Sequence, residues 1–255
     1  MVMHNSGVGS RTNDKDGGTC YTKRHLEELV KLQTSVLHKQ ALELKRMNER
    51  IIETLSNVVE FRNLESGDHV RRVKDFTRIL AEHLARACPE YQLDREAVDV
   101  ITAAAVLHDV GKIAIPDAVL LKPGKLTAQE FEVMKTHTTK GCEIIAMLGD
   151  MQEGEYGRVS YDICRYHHER YDGKGYPEGL QGEEIPAAAQ IVSLADVYDA
   201  LTSERCYKSA YTPAEAYEMI MRGECGQFSP KLLSCLTEAR GELEEKAGCG
   251  RELTK

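Results

Sequence analysis

The sequence predicts an all-α fold, and three observations lead there. From about Tyr21 to Val59 the chain holds no Gly or Pro and is rich in Leu, Glu, Lys and Gln, residues that lose little freedom in a helix. Elsewhere apolar residues recur at helical spacing, with no alternating strand pattern of any length and no internal repeat. Helix-start signals recur as well: Asp94, Thr127-x-x-Glu130, Thr212-Pro213-x-Glu215 and Ser229-Pro230.

Taken in order, residues 1–18 are polar, Gly-containing and aperiodic, and read as a disordered leader. Residues 19–59 form a long connector helix. Val30, Leu37, Leu44, Ile51 and Val58 keep a strict seven-residue period. Leu26 and Met47 sit on the second seam, where Gln33, Gln40 and Thr54 are polar. That pattern predicts a parallel coiled-coil homodimer; the same pattern also suits an amphipathic helix packed back on its own domain. The main domain occupies residues 60–238. Within it a helix from His69 stops at Ala87, before Pro89. Asp94 caps a helix running through Ala105 to His108. Lys122-Pro-Gly-Lys125 is a turn, and Thr127 opens a helix through Leu148. A helix from about Val159 ends near His168. A loop dense in breakers, from Tyr171 to Gly182, closes at Pro186, and Ala187 to Ser203 is helical again. Helices open at Thr212 and Ser229, and residues 239–255 read as a frayed, charged tail.

Composition narrows the class. With 255 residues, 42% hydrophobic and 29% charged, the chain can bury one good core. No apolar run is long enough to span a bilayer and the N-terminus lacks a signal-peptide core, which predicts a cytoplasmic protein with no membrane partner. The eight cysteines form no C-x-x-C pair and read as reduced thiols. A net charge of −8 argues against duplex nucleic acid.

Chemistry concentrates where ionisable residues interrupt apolar helices. Ala103-Ala-Ala-Val-Leu-His-Asp-Val-Gly-Lys112 sets an imidazole beside a carboxylate at the end of a buried run. Burying both is costly unless something compensates them, and a metal ion accepts both donors. Glu65 and His69 are four apart, His137 lies inside a helix, His167-His168 ends another, and Asp196 breaks Ile191-Val-Ser-Leu-Ala. Five histidines and three carboxylates on separate segments are more than local hydrogen bonds can satisfy. Neighbouring residues on a helix diverge by about 100°, so His167 and His168 are expected to reach two different ions. Asp109, with two oxygens, can bridge a pair. Nitrogen and oxygen donors without thiolate favour Fe, then Mn or Zn. Two such ions, about 3.5–4 Å apart, suit in-line attack of hydroxide on a phosphodiester.

His69, His108-Asp109 and Asp196 together resemble the signature of the HD phosphohydrolase superfamily. His167-His168-Glu169-x-x-Asp172-Gly-x-Gly-Tyr176-Pro177-x-Gly-Leu-x-Gly-x-x-Ile-Pro186 is similar to the motif of its HD-GYP subfamily. The likeness runs from about Glu60 to Leu236 and implies a helical bundle with metals at its centre. It further implies a metal-dependent bacterial phosphodiesterase that hydrolyses cyclic di-GMP to pGpG and in many cases on to GMP. By this resemblance the metal ligands are His69, His108, Asp109, His137, His167, His168 and Asp196, with Glu65 the carboxylate of a third ion. The alternative for Glu65 is a helix-start residue that balances local charge. Lys112 would contact the scissile phosphate, or else balance a helix C-terminus. Arg205 and Lys208 would hold phosphate or guanine, although Cys206 stands where Pro is usual. Asp199, three after Asp196, is a helper to the nucleophilic water or a support for a ligand. Tyr176 offers its ring to the substrate or simply shapes the loop. Other classes stay open: a non-hydrolytic cyclic-dinucleotide sensor, or an HD enzyme for another cyclic dinucleotide or nucleotide.

Overall fold

The computed structural model describes residues 23–62, 68–147, 154–204 and 210–249. Glu65, Arg205, Cys206 and Lys208, the leader 1–18 and the last six residues of the tail lie outside them. The chain divides into two compact units, 1–48 and 49–255. The described residues are helical, without strands; Asp172 and Gln181 form an isolated bridge.

The first helix, α1 (Lys23–Arg62), runs unbroken as its composition predicts. Its heptad residues face solvent: Val30, Leu37, Leu44, Ile51 and Val58 are all exposed. Within the second unit its last turns bury Ser56, Val59 and Glu60. The helices that follow are α2 (Asp68–Ala87), α3 (Arg95–Ala104), α4 (Asp117–Leu120), α5 (Ala128–Lys135), α6 (His137–Ala146) and α7 (Glu155–Tyr166). After the breaker-rich loop come α8 (Ala187–Thr202), α9 (Pro213–Met221), α10 (Pro230–Glu238) and α11 (Arg240–Cys249). Among the described residues no helix is long and apolar enough to cross a membrane.

The caps form as their residue types dictate. Asp94 accepts from the amide of Ala97 at 2.8 Å, and Thr127 with Glu130 and Thr212 with Glu215 close reciprocal capping boxes. The core gathers apolar faces of α2, α3, α7 and α8 around Phe76, Leu80, Ile101, Ile163, Ile191 and Leu194, with α9 to α11 adding Ile220, Leu236 and Leu243. Phe76 meets Tyr198 edge to face at 5.0 Å. Each fully buried Leu or Ile of this set contributes about 1.5–3 kcal/mol by leaving water.

Three expectations are corrected. The helix opened by Thr127 does not continue to Leu148: it stops at Lys135 and restarts at His137. There the hydroxyls of Thr136, Thr138 and Thr139 donate to the carbonyls three residues back, and the His137 ring donates to Met134 O. Side chains thus compete with the backbone for the carbonyls of 133–136. The helix before His108 gives way at Ala105 to a 3₁₀ turn, Ala105–Leu107. The stretch from 239 is no frayed tail as far as 249, because Leu243 and Ala247, four apart, lie on one face of α11 and are buried.

Candidate metal centre

Five pieces of backbone deliver the polar residues to one place. His69 is the second residue of α2, His108 and Asp109 follow the 3₁₀ turn after α3, and His137 opens α6. His167 and His168 follow the end of α7, and Asp196 and Asp199 lie on α8. Gly111 makes this convergence sterically feasible: a Cβ there would sit 1.8 Å from the carbonyl oxygen of His137 and 2.5 Å from the amide of Gly141. Any other residue would push the His108-Asp109 segment off α6. That close approach leaves no mark in hydropathy, and the sequence reading missed it.

The donor atoms fall into overlapping groups. Asp109, His137, His167 and His168 form one, and His69, His108 and Asp196 a second, each with ligand atoms within 4.8 Å of one another. Asp109 joins the two: Oδ1 lies 3.2 Å from His137 Nε2 and Oδ2 3.2 Å from His108 Nε2. Asp196 Oδ1 is 3.7 Å from His69 Nε2 and 3.9 Å from His108 Nε2. A third group, absent from the sequence reading, is Glu60, His69 and Asp109. His167 and His168 fall in one donor group, with their ring centroids 4.1 Å apart, rather than one in each.

The rings are turned for ligation. His108 donates from Nδ1 to Ala105 O at 2.9 Å, His137 to Met134 O at 2.8 Å, and His167 to Ile163 O at 3.0 Å. Each is left with Nε2 pointing at the centre, the arrangement by which outer hydrogen bonds fix the tautomer of a metal-ligating imidazole. His69 Nδ1 donates to Asp199 Oδ2 at 2.7 Å, and Arg72 pairs with both oxygens of Asp199 at 2.5 and 3.1 Å. Ser203 Oγ adds a bond to Asp199 Oδ1 at 3.1 Å. Both oxygens of Asp199 are therefore engaged by protein groups, so the geometry supports an orienting partner of His69 over a helper to water. Arg72 escaped the sequence reading, although it sits one helical turn from His69 and so on the same face.

The residues fit cations. His108 Nε2 and Asp109 Oδ1 are buried and make no hydrogen bond, a state that costs about 1–3 kcal/mol for each neutral group and more for a charged one. The charges agree. Burial opposes a proton on His108, but Asp109, Asp196 and Glu60 outweigh it and push its pKa up to about 10. Burial holds His137 down at about 4, and burial with His167 and His137 also lowers His168 well below its ordinary value. Against the penalty of burial, Lys112 and His108 hold the Asp109 carboxyl well below its ordinary range. Carboxylates in the centre thus call for positive charge that the histidines supply only in part. Lys112 Nζ lies 2.6 Å from Asp109 Oδ2 and 3.8 Å from Glu60 Oε1.

The Gly-Tyr-Pro loop borders this centre. Glu169, which the sequence reading left without a role, is buried and accepts from the amides of Glu178, Gly179 and Leu180 at 2.7, 3.0 and 3.0 Å. Gly175 packs so closely that a Cβ would stand 2.4 Å from the Cα of Glu169. Pinned in this way, the loop sets the Tyr176 ring 4.8 Å from that of His168 and 6.1 Å from that of Phe131. A cavity of about 270 Å³ opens here, with Tyr176, Phe131, Arg170, Gln227 and Phe228 in its walls beside the two histidines.

Comparisons with known proteins agree with this architecture. The HD domain family model matches residues 31–232. The chain is 41% identical over 231 residues to the cyclic di-GMP phosphodiesterase response regulator RpfG of Xanthomonas campestris pv. campestris, which covers 88% of this chain and 58% of the relative. It is 40% identical over 197 residues to the 3'3'-cGAMP-specific phosphodiesterase 2 of Vibrio cholerae, covering 77% of this chain and 36% of the relative. The chain thus spans less than two thirds of the length of either relative. In structure it resembles a cyclic GMP-AMP specific phosphodiesterase of V. cholerae with a TM-score of 0.54 at 19% identity, over 77% of this chain and 48% of the other, a likeness of fold. By its HD domain and by the long motif from His167 to Pro186, the chain belongs to the HD domain family, in the HD-GYP group.

Proposed function

We propose that this protein is a metal-dependent phosphodiesterase that opens cyclic di-GMP to pGpG, with GMP as the further product. The observation that carries the reading is the junction at Asp109, whose two oxygens each face a histidine of a different donor group. Divalent or trivalent cations, Fe before Mn or Zn, would be held by Asp109, His137, His167 and His168 on one side and by His69, His108 and Asp196 on the other. What such ions supply is neutralisation of phosphoryl charge and acidification of water.

The chain's own residues do the rest. Overall, water adds across one phosphodiester: a P–O3′ bond breaks, the phosphorus gains the water oxygen, and the released 3′ oxygen takes a proton. Asp199, fixed by Arg72, holds His69 in the tautomer that presents Nε2. Lys112, whose ammonium now lies against Asp109, turns to a non-bridging phosphate oxygen as charge develops there. The Tyr176 ring, with Phe131 and Phe228 nearby, offers a stacking wall for a base, and Arg205 and Lys208 hold the other phosphate or the guanine. We take α1 to join two copies through its heptad seam, and Glu65 to serve a third ion.

A second reading, 3'3'-cGAMP as the preferred substrate, is favoured by the relative of that specificity at nearly the same identity. The test is kcat/KM of the metal-replete full chain on both cyclic dinucleotides, with chromatography of products. Hydrolysis of cyclic di-GMP at the higher specificity constant is expected. A larger constant for 3'3'-cGAMP supports the second reading, and tight binding without turnover supports a sensor instead.

A further inference from the structure

We propose that the last turn of α1 belongs to the reaction machinery, with Glu60 and Arg62 acting as positioning residues for Lys112. The inference rests on the reading of Lys112 as the group that meets the phosphate.

Glu60 is buried, with only 2% of its surface exposed, and a buried carboxylate needs a cationic or hydrogen-bonding partner. Its Oε1 stands 3.8 Å from Lys112 Nζ, so the ammonium lies between Glu60 and Asp109. Two residues on, Arg62 grips the backbone of the same segment. Its Nη1 donates to the carbonyls of Lys112 at 3.1 Å and Ile113 at 2.6 Å, and its Nη2 to Ile115 O at 2.8 Å and Asp117 Oδ1 at 2.6 Å. These carbonyls end the 3₁₀ turn Val110–Ala114, where the planar five-donor fork of a guanidinium satisfies several acceptors at once. One helical turn thus holds both the main chain and the ammonium of Lys112.

The consequence follows from charge. With cations bound, Asp109 is shared with them, and Glu60 is the carboxylate that keeps the ammonium over the phosphate site. A buried Glu at 60 also explains why α1, otherwise apolar on its exposed seam, turns a polar face inward at Ser56 and Glu60. Because α1 is one helix from Lys23 to Arg62, a shift of the helix along or about its own axis moves both grips on Lys112.

A double-mutant cycle on the full, metal-replete chain tests this, with kcat and KM for cyclic di-GMP and metal content per chain read together. Glu60→Gln is expected to lower kcat about tenfold with KM changed by less than about twofold, leaving metal content intact; Glu60→Asp recovers most of the rate. In a Lys112→Met background, Glu60→Gln is expected to cost less than about twofold, since the group it acts through is gone. If Glu60→Gln does not fold, Arg62→Met is run in both backgrounds, with a several-fold loss of kcat expected in the parent and less than about twofold in Lys112→Met. An equal loss in the two backgrounds overturns the proposal. So does a fall in metal content on Glu60→Gln, which would make Glu60 a ligand with His69 and Asp109. If Lys112→Met leaves kcat untouched, the reading of Lys112 fails and takes this one with it. That result is distinguishable, because the loss is then absent in the lysine variant itself.

Discussion

Leu37 on α1 is 65% exposed, whereas His108 in the second unit is 1% exposed. The first region sets Leu26, Val30, Leu37, Leu44 and Met47 in water, while the second sets His69, His108, Asp109, His137 and His167 in the interior. Both reverse the usual sorting of side chains, and for opposite reasons. An apolar stripe kept for five heptads is unfavourable unless another apolar surface covers it. A buried cluster of imidazoles and carboxylates is unfavourable unless charge of the right sign enters it. On the proposed reading each region has a different complement, a second helix in one case and cations in the other. The two should therefore fail under different perturbations.

The sharpest way to break the buried region is to remove its junction. Asp109→Asn and His108→Ala are each expected to lower kcat by about a thousandfold or more and to reduce bound metal, with the helical circular dichroism unchanged. Retained activity in either would show that the two donor groups do not act together.

Asp199→Asn probes the same region one layer out. Loss of a carboxylate that orients a ligating imidazole typically weakens metal binding about 10–100-fold, measurable by competition with a chromophoric chelator. Removing it also leaves Arg72 without its buried partner, a loss of about 3 kcal/mol in the metal-free protein at neutral pH. The pH dependence has a defined sign. Burial raises the pKa of Asp199, but the hydrogen bonds from His69 and Arg72 more than offset it and hold the carboxyl below its ordinary range. A depressed carboxyl contributes fully above its unfolded value of about 3.9 and loses that contribution as the pH falls below it. Burial lowers the pKa of His69, but Asp199 and Asp196 outweigh it and raise it, so His69 gains from the pair as it protonates. The gap in urea midpoint between parent and Asp199→Asn should therefore widen as the pH falls from 7 through the histidine range and narrow below about 4. A gap that keeps widening below about 4 would contradict the pairing.

Glu169→Gln tests the loop that borders the centre. It removes the negative charge from a carboxylate accepting three amides and is expected to raise KM about tenfold while sparing metal content. The smallest effect on chemistry is expected from the other region. Leu37→Asp with Leu44→Asp should halve the mass seen by sedimentation and leave kcat per site within about twofold. An unchanged mass would show that the stripe serves something other than a second copy.

Much of this was legible because helices announce themselves locally. The capping pairs at Thr127 and Thr212, the Gly-free run to Val59 and the polar interruptions of apolar helices are all statements about neighbours in sequence. The histidines and aspartates that converge were legible for the same reason: each imidazole or carboxylate stands out against its own apolar segment. What escaped depends on neighbours far apart in sequence. Glu60 lies just past the end expected for the connector helix at Val59, and only folding brings it to Lys112. Gly111 matters because α6 arrives 26 residues later at His137. Glu169 looked like one letter of a motif until its carboxylate was seen to hold the amides of 178–180. Leu243 was lost among charges, since Glu242, Glu244 and Glu245 mask an apolar pair whose period is four. The expected split of His167 and His168 is not seen in the donor groups, where both lie with Asp109 and His137.

The measurement that tests the central claim most directly is elemental analysis of the chain purified without oxygen, compared with His108→Ala handled identically. The account predicts at least two transition-metal ions per chain in the parent, of which the variant loses one or more. A parent that hydrolyses cyclic di-GMP at full rate with less than one ion per chain, unaffected by chelation, would contradict it.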